Sequence, residues 1–239
     1  HRLSGVSGVD AVRLAGPSDP RLLLTHLGLD QYAGSEIVVL ELIEWFAARG
    51  WRVDLFTSVV RGPMARELAG RIAEGAVRVI TIDDALDLAP GDYRLVWINH
   101  SFLPTAFVEA LGDSPLEAPL IWHHMSSFVP IEMPLLWETE RALASVVTCM
   151  APVARDRLVA LGIPPETITI VDNPAPDAFI AFRSHPRPSA LTSLLVVSNH
   201  LPRDVRGAIE ALEQRGVRVT TVGALGVPQR VTPELIAAH

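Results

Sequence analysis

The sequence predicts an α/β chain built on a doubly wound parallel sheet, and two observations carry that prediction. From Arg21 onward, short β-rich apolar runs alternate with longer runs of helical period, which is the pattern of βαβ units. The short runs are apolar throughout, as strands are when helices cover both faces of their sheet. With 239 residues, 49% of them hydrophobic, the chain can bury the large core such a sheet needs.

The first 20 residues, "HRLSGVSGVDAVRLAGPSDP", are turn-rich and read as a surface lead-in, with one short strand expected at Asp10 to Leu14. Strands are expected in "RLLLTHL", "WRVDLFTS", "AVRVITI", "YRLVWIN", "APLIWHH" and "ASVVTCM", since each is a short apolar run. Helices are expected at Ser35 to Arg49, Gly62 to Ala73, Phe102 to Leu111 and Val153 to Leu161. The first is best defined: Ser35 is placed to cap it, Glu36 suits the positive end of its dipole, and Gly50 suits a left-handed residue at its end.

A stretch rich in proline and serine, 180–192, reads as a linker. A second series follows, with strand "SLLVVSN", helix "VRGAIEALEQRG", strand "VRVTTVG" and a last segment "TPELIAAH". Two strands do not make an independently stable sheet, so either the chain continues past His239, the favoured expectation, or this part leans on the first domain; its start at His1 reads as trimmed. The division expected is an N-terminal domain at 1–179, the linker, and the beginning of a second domain at 193–239.

Charge narrows the function. The formal net charge is −7 and the pI about 5.6, which argues against nucleic acid as the main partner. All 20 basic residues are arginines, a mark of genomic composition rather than function. No apolar run reaches the roughly 18 residues of a membrane span. The single cysteine, Cys149, excludes an internal disulfide framework and fits a reducing, cytoplasmic compartment; it reads as a buried structural thiol.

Two constellations carry chemistry. In "HLGLDQYAGSE" a strand, a glycine-containing loop and a helix start follow one another, placing free N–H groups and a positive dipole end above the strand's carboxyl edge. An anion site fits this, and so does a plain tight turn. His26, His100, His123 and His124 all fall at strand ends, and a parallel sheet gathers such ends along one edge. Histidine there can hold a proton or donate to a hydroxyl, or simply finish a strand. No HxH or HExxH spacing supports a metal site. Trp97, Trp122, Trp45 and Trp51 read as packing residues.

These stretches resemble a known family. "LLLTHLGLDQYAGSEIVVLELIEWFAARGWRVDLFTS" is similar to the opening of GT-B fold glycosyltransferases of the family-four type, where a strand, a "GG(A/S)E" loop and a helix ending "RGH" occur in that order. "LIWHHMSS", "APVARDRLVALGIPPETITIVDNPAPDAF" and the series from "LLVVSN" to "VRVTTVGALG" resemble later segments of the family. The resemblance implies two Rossmann-like domains, of which 1–179 is the acceptor side and 193–239 the start of the donor side. It also implies retaining, metal-independent sugar transfer, without a cofactor, from a nucleotide-diphosphate sugar to an acceptor.

By residue, it implies that Gly34 and Ser35 approach the donor diphosphate, with Arg203 and Arg206 supplying positive charge. It places His124 near the reacting sugar, with His123 as the neighbouring alternative, and Glu36, His100 and Asn173 along the cleft. Family members often glycosylate lipids or polymers, which leaves peripheral membrane contact open; no amphipathic basic stretch argues for it. The sequence departs from the pattern at "SNHLPRDVRG", where the family has Gly-Arg and a later Lys, and at "NPAPD", where Pro174 takes a glycine's place. A nucleotide-sugar-binding protein without transferase activity, and a sugar epimerase of the same fold, are the alternatives.

Overall fold

The structure, a computed structural model, describes residues 19–81, 84–99, 103–112, 116–125, 138, 141–172, 190–197, 203–222 and 230–237. The strand expected at 10–14, most of the linker, His100 and Asn173 lie outside the described residues, as does the side chain of Arg203.

The strands are β1 (Arg21–Thr25), β2 (Arg52–Phe56), β3 (Val77–Ile80), β4 (Leu95–Asn99), β5 (Leu120–His124), β6 (Val146–Cys149) and β7 (Ile168–Ile170). They form one parallel sheet in the order β3-β2-β1-β4-β5-β6-β7. Between them lie α1 (Gly34–Ala47), α2 (Gly62–Ala73), α3 (Thr105–Ala110) and α4 (Pro152–Ala160). Each apolar run became a strand because its residues meet helices on both faces. Leu22 and Leu24 pack with Ile43 and Phe46 of α1 and Leu68 of α2. Leu23, Ile98 and Trp122 pack on the other face with Phe107 of α3 and Leu158 of α4. Leu22, Leu23 and Leu24 are fully buried, each worth about 1.5–3 kcal/mol relative to exposure. The doubly wound parallel sheet is therefore present as expected.

Strand β7 was not expected. It is three residues long, and Thr169 and Ile170 are exposed at the sheet's edge, so it carries no apolar run to announce it.

Helix α1 corrects one detail. It begins at Gly34 with Ala33 as N-cap and no side-chain cap; the Ser35 hydroxyl instead donates to Glu36 Oε2 at 2.6 Å. Gly50 does take the left-handed conformation, at φ 77, letting its N–H reach Ala47 O at 3.0 Å. Trp45 packs only in part: the residue is 50% exposed, with the Arg49 guanidinium 3.7 Å from its ring centroid.

Beyond residue 190, β8 (Ser193–Val197) and β9 (Arg218–Val222) form a separate parallel pair. Helices α5 (Arg203–Glu213) and α6 (Pro233–Ala237) accompany them. Arg230, just before α6, pairs with Glu41 of α1.

Candidate functional site

The chain order reverses between β1 and β4, and in open α/β sheets the crevice above such a reversal is where ligands bind. The loops after β1 and β2 build its near wall. They run side by side beyond the strands, with Leu29 N–H donating to Val59 O at 2.8 Å and Arg61 N–H to Leu29 O at 3.0 Å. Two glycines permit this approach. A Cβ on Gly28 would stand 3.2 Å from Val59 Cγ1, and one on Gly62, at φ +59, would stand 3.2 Å from Asp30 O.

The result is a cavity of about 310 Å³ lined by His26, Gly28, Asp30, Ser35, Glu36, Ser58 and neighbours. It lies at the start of α1, whose dipole presents about half a positive charge there. Two carboxylates also face it. Asp30 is paired with Arg61 at 2.9 Å, and Glu36 is buried and takes the Ser35 hydroxyl. Such a lining suits hydroxyl groups in the depth of the cavity, with an anion accommodated only at the helix end itself. Ser58, Val59 and Asp30 were not singled out by sequence, because their place depends on how two loops pair.

Gly34 has no packing reason among the described residues. A Cβ there would meet no atom within 4 Å, and its φ lies outside the left-handed region.

A row of buried polar side chains continues from the cavity along the strand ends. His26 Nδ1 lies 3.0 Å from Asn99 O and 3.3 Å from Asn99 Nδ2. Asn99 pairs in register with His123, and His123 Nδ1 lies 2.7 Å from Thr148 Oγ1. His26, Asn99, His123 and Thr148 are all buried. Asn99 Oδ1 and Thr25 Oγ1 have no hydrogen-bond partner among the described residues. A buried acceptor left unsatisfied costs about 1–3 kcal/mol, so the row's Asn99 sits at an energetic cost to the fold.

The two neighbouring histidines part company. Alternation along β5 turns His123 to the α1 face, where it meets Trp97 edge-on with centroids 6.1 Å apart. His124 turns to the opposite face, 4.4 Å from the Trp122 ring centroid. His123 thus shares a sheet face with His26 and Asn99, and His124 lies on the other. Arg206 is exposed on α5. Cys149 is fully buried, and burial pushes its thiol up, which keeps it protonated as a structural residue. Among the described residues no cluster of three or more histidine, cysteine or acidic side chains comes together as a metal site. No described helix is long and apolar enough to cross a membrane.

A doubly wound sheet with a polar row at its switch point and a helix N-terminus beside it defines a Rossmann-like domain of the GT-B kind. The chain belongs to Glycosyltransferase Family 4, whose model matches residues 32–178. Among solved structures it is similar to HepE of Anabaena in complex with UDP-glucose, at 14% identity and TM-score 0.56, covering 84% of this chain and 59% of that one. It is also similar to the apo form of the lipopolysaccharide outer core galactosyltransferase WaaB, at 13% identity and TM-score 0.51, covering 84% and 60%. A third is a putative UDP-N-acetylglucosamine 2-epimerase from Listeria monocytogenes, at 14% identity and TM-score 0.51, covering 86% and 62%. The chain therefore spans about three fifths of the length of these structures. No curated protein matches its sequence.

Proposed function

We propose that this chain is the acceptor-side unit, 1–179, and the beginning of the donor-binding unit, 193–239, of a retaining glycosyltransferase. It takes a sugar from a nucleotide-diphosphate donor without a metal ion. The observation that carries this is the row His26, Asn99 and His123 at the switch point of a Family 4 chain. The complex of HepE with UDP-glucose supports a nucleotide sugar as the class of donor.

In such a transfer the bond from the anomeric carbon to the diphosphate oxygen breaks, and a bond to an acceptor hydroxyl oxygen forms on the same face of the sugar as the hydroxyl proton passes to the departing diphosphate oxygen. Negative charge grows on the departing diphosphate, and N–H donors must be in place to meet it. The amides of Gly34 and Ser35 supply them, assisted by Arg203 and Arg206. That Gly34 is not demanded by packing supports close approach of a ligand there. The carboxylates of Glu36 and Asp30 repel phosphate, and accept hydrogen bonds from hydroxyls in the cavity below. His123 is the histidine of the reacting site, hydrogen-bonded to the transferred sugar, while His124 packs with Trp122 on the far face.

Calorimetry of the full-length protein against a panel of UDP- and GDP-sugars tests this. Binding of at least one donor is expected; no binding across the panel overturns it. The likeness to the Listeria protein favours epimerase as the second reading. NMR of the donor incubated alone separates the two: inversion at C2 without acceptor marks an epimerase, and an α-to-α product with acceptor marks retaining transfer.

A further inference from the structure

Two acids and two serines line the cavity beyond β1 and β2, and their hydrogen bonds turn all four towards it as acceptors. Glu36 is 6% exposed and takes the Ser35 hydroxyl on Oε2 at 2.6 Å; its Oε1 has no hydrogen-bond partner among the described residues. The Ser58 hydroxyl donates to Leu27 O. Carboxylates and carbonyls can only accept, so each serine has spent its one proton on the wall, and its oxygen offers lone pairs alone. Asp30 gives one oxygen to Arg61, whose side chain is 70% exposed. His26, the remaining polar side chain of the lining, is engaged at Nδ1 with Asn99. At about 310 Å³ the cavity lies at the low end of the roughly 300–1,000 Å³ of small-molecule sites, room for one sugar ring and not for a nucleotide.

We infer that this cavity seats a single uncharged sugar ring of the acceptor, recognised through its hydroxyl protons, and that Glu36 is the residue that selects it. Neighbouring hydroxyls of the ring donate to Glu36 Oε1 and to the lone pairs of Ser35 and Ser58. A phosphate or uronate in the same place sets acceptor against acceptor and negative charge against two carboxylates, leaving buried groups unpaired. Naming the ring as the acceptor's rests on the transferase reading; the cavity's preference for uncharged, donor-bearing rings does not.

Saturation-transfer NMR of the full-length protein, with UDP present to fill the phosphate end, compares methyl glycosides of glucose, galactose, mannose and N-acetylglucosamine with their 6-phosphates and uronates. At least one neutral glycoside is expected to bind, about 10-fold or more tightly than its anionic counterparts. Glu36→Gln, which replaces one accepting oxygen by an N–H donor, is expected to weaken that neutral glycoside about 10-fold, the scale of one hydrogen bond to a charged group, and to narrow the gap to the anions. A phosphate or uronate bound as tightly as its neutral parent, no neutral glycoside bound across the panel, or unchanged neutral binding in Glu36→Gln overturns the inference. The wild-type comparison decides even if the variant fails to fold. Calorimetry with nucleotide sugars separates the two layers: a bound donor alongside a preferred anionic glycoside overturns this inference alone, while a bound neutral glycoside with no bound donor overturns the transferase reading and supports the cavity's preference.

Discussion

Two buried polar clusters sit in the same sheet and have been finished in different ways. At the amino ends of the strands, Asp54 of β2 is buried and fully paired. Arg21 donates to it at 2.7 Å, Arg78 at 2.7 and 3.0 Å, and the Tyr93 hydroxyl at 2.8 Å. At the carboxyl ends, the His26, Asn99 and His123 row leaves Asn99 Oδ1 without a partner among the described residues. A closed network returns its desolvation cost as stability, while an open one keeps its capacity for a ligand. The difference teaches where to look for function: both clusters are buried and polar, but only one is incomplete, and it lies at the switch point.

The largest effect expected belongs to the closed cluster. Asp54→Ala leaves two arginines and a buried tyrosine without their common partner, and should cost about 3–5 kcal/mol in urea unfolding. Transfer per folded molecule should be unchanged. If activity falls with the fold intact, the two clusters are coupled and the distinction breaks.

Next is the open row. Asn99→Leu, which replaces a buried unsatisfied amide by an apolar group of similar size, should leave stability within about 1 kcal/mol of wild type or raise it. Transfer should fall at least about 100-fold. A large loss of stability with activity retained would make Asn99 a structural residue after all.

Gly50→Ala should cost about 1–2 kcal/mol by thermal unfolding, the penalty for an L side chain at a left-handed position, which φ 77 imposes. Ser35→Ala should cost less than about 0.5 kcal/mol, where a true N-cap would cost about 1 kcal/mol, because Ser35 bonds Glu36 instead of capping α1.

Acid should find the closed cluster first. Burial pushes the Asp54 carboxyl up, but the hydrogen bonds from Arg78 and Tyr93 and the Arg21 charge outweigh it and hold it below the usual carboxylate range. The unfolded chain therefore binds this proton at higher pH than the folded one. The stabilisation is present above the unfolded value of about 3.9 and is lost as pH falls through the folded value. Unfolding free energy measured against pH should decline more steeply below about pH 4 in wild type than in Asp54→Ala.

Much of this architecture could be read from the sequence for physical reasons that also mark its limits. Strands apolar on both faces announced the parallel sheet, and a parallel sheet alone gathers His26, His123 and His124 at one edge. The opposite facing of His123 and His124 follows from strand alternation. That His26 meets Asn99, 73 residues away in sequence, is contained in no local pattern. Asp54 lay in plain view within "WRVDLFTS", yet its partners come from β1, β3 and the turn before β4. The wall made by Ser58 and Val59 depends on one loop lying along another. Local periodicity reports burial; it does not report who pairs with whom.

The role of His123 is tested by comparing His123→Ala, His124→Ala and wild type in the full-length protein, measuring nucleotide-diphosphate release on addition of donor and acceptor. His123→Ala is expected to lose at least about 100-fold in kcat, the scale of a positioned reacting group, and His124→Ala much less. Equal activity of His123→Ala and wild type, or the larger loss in His124→Ala, would contradict it.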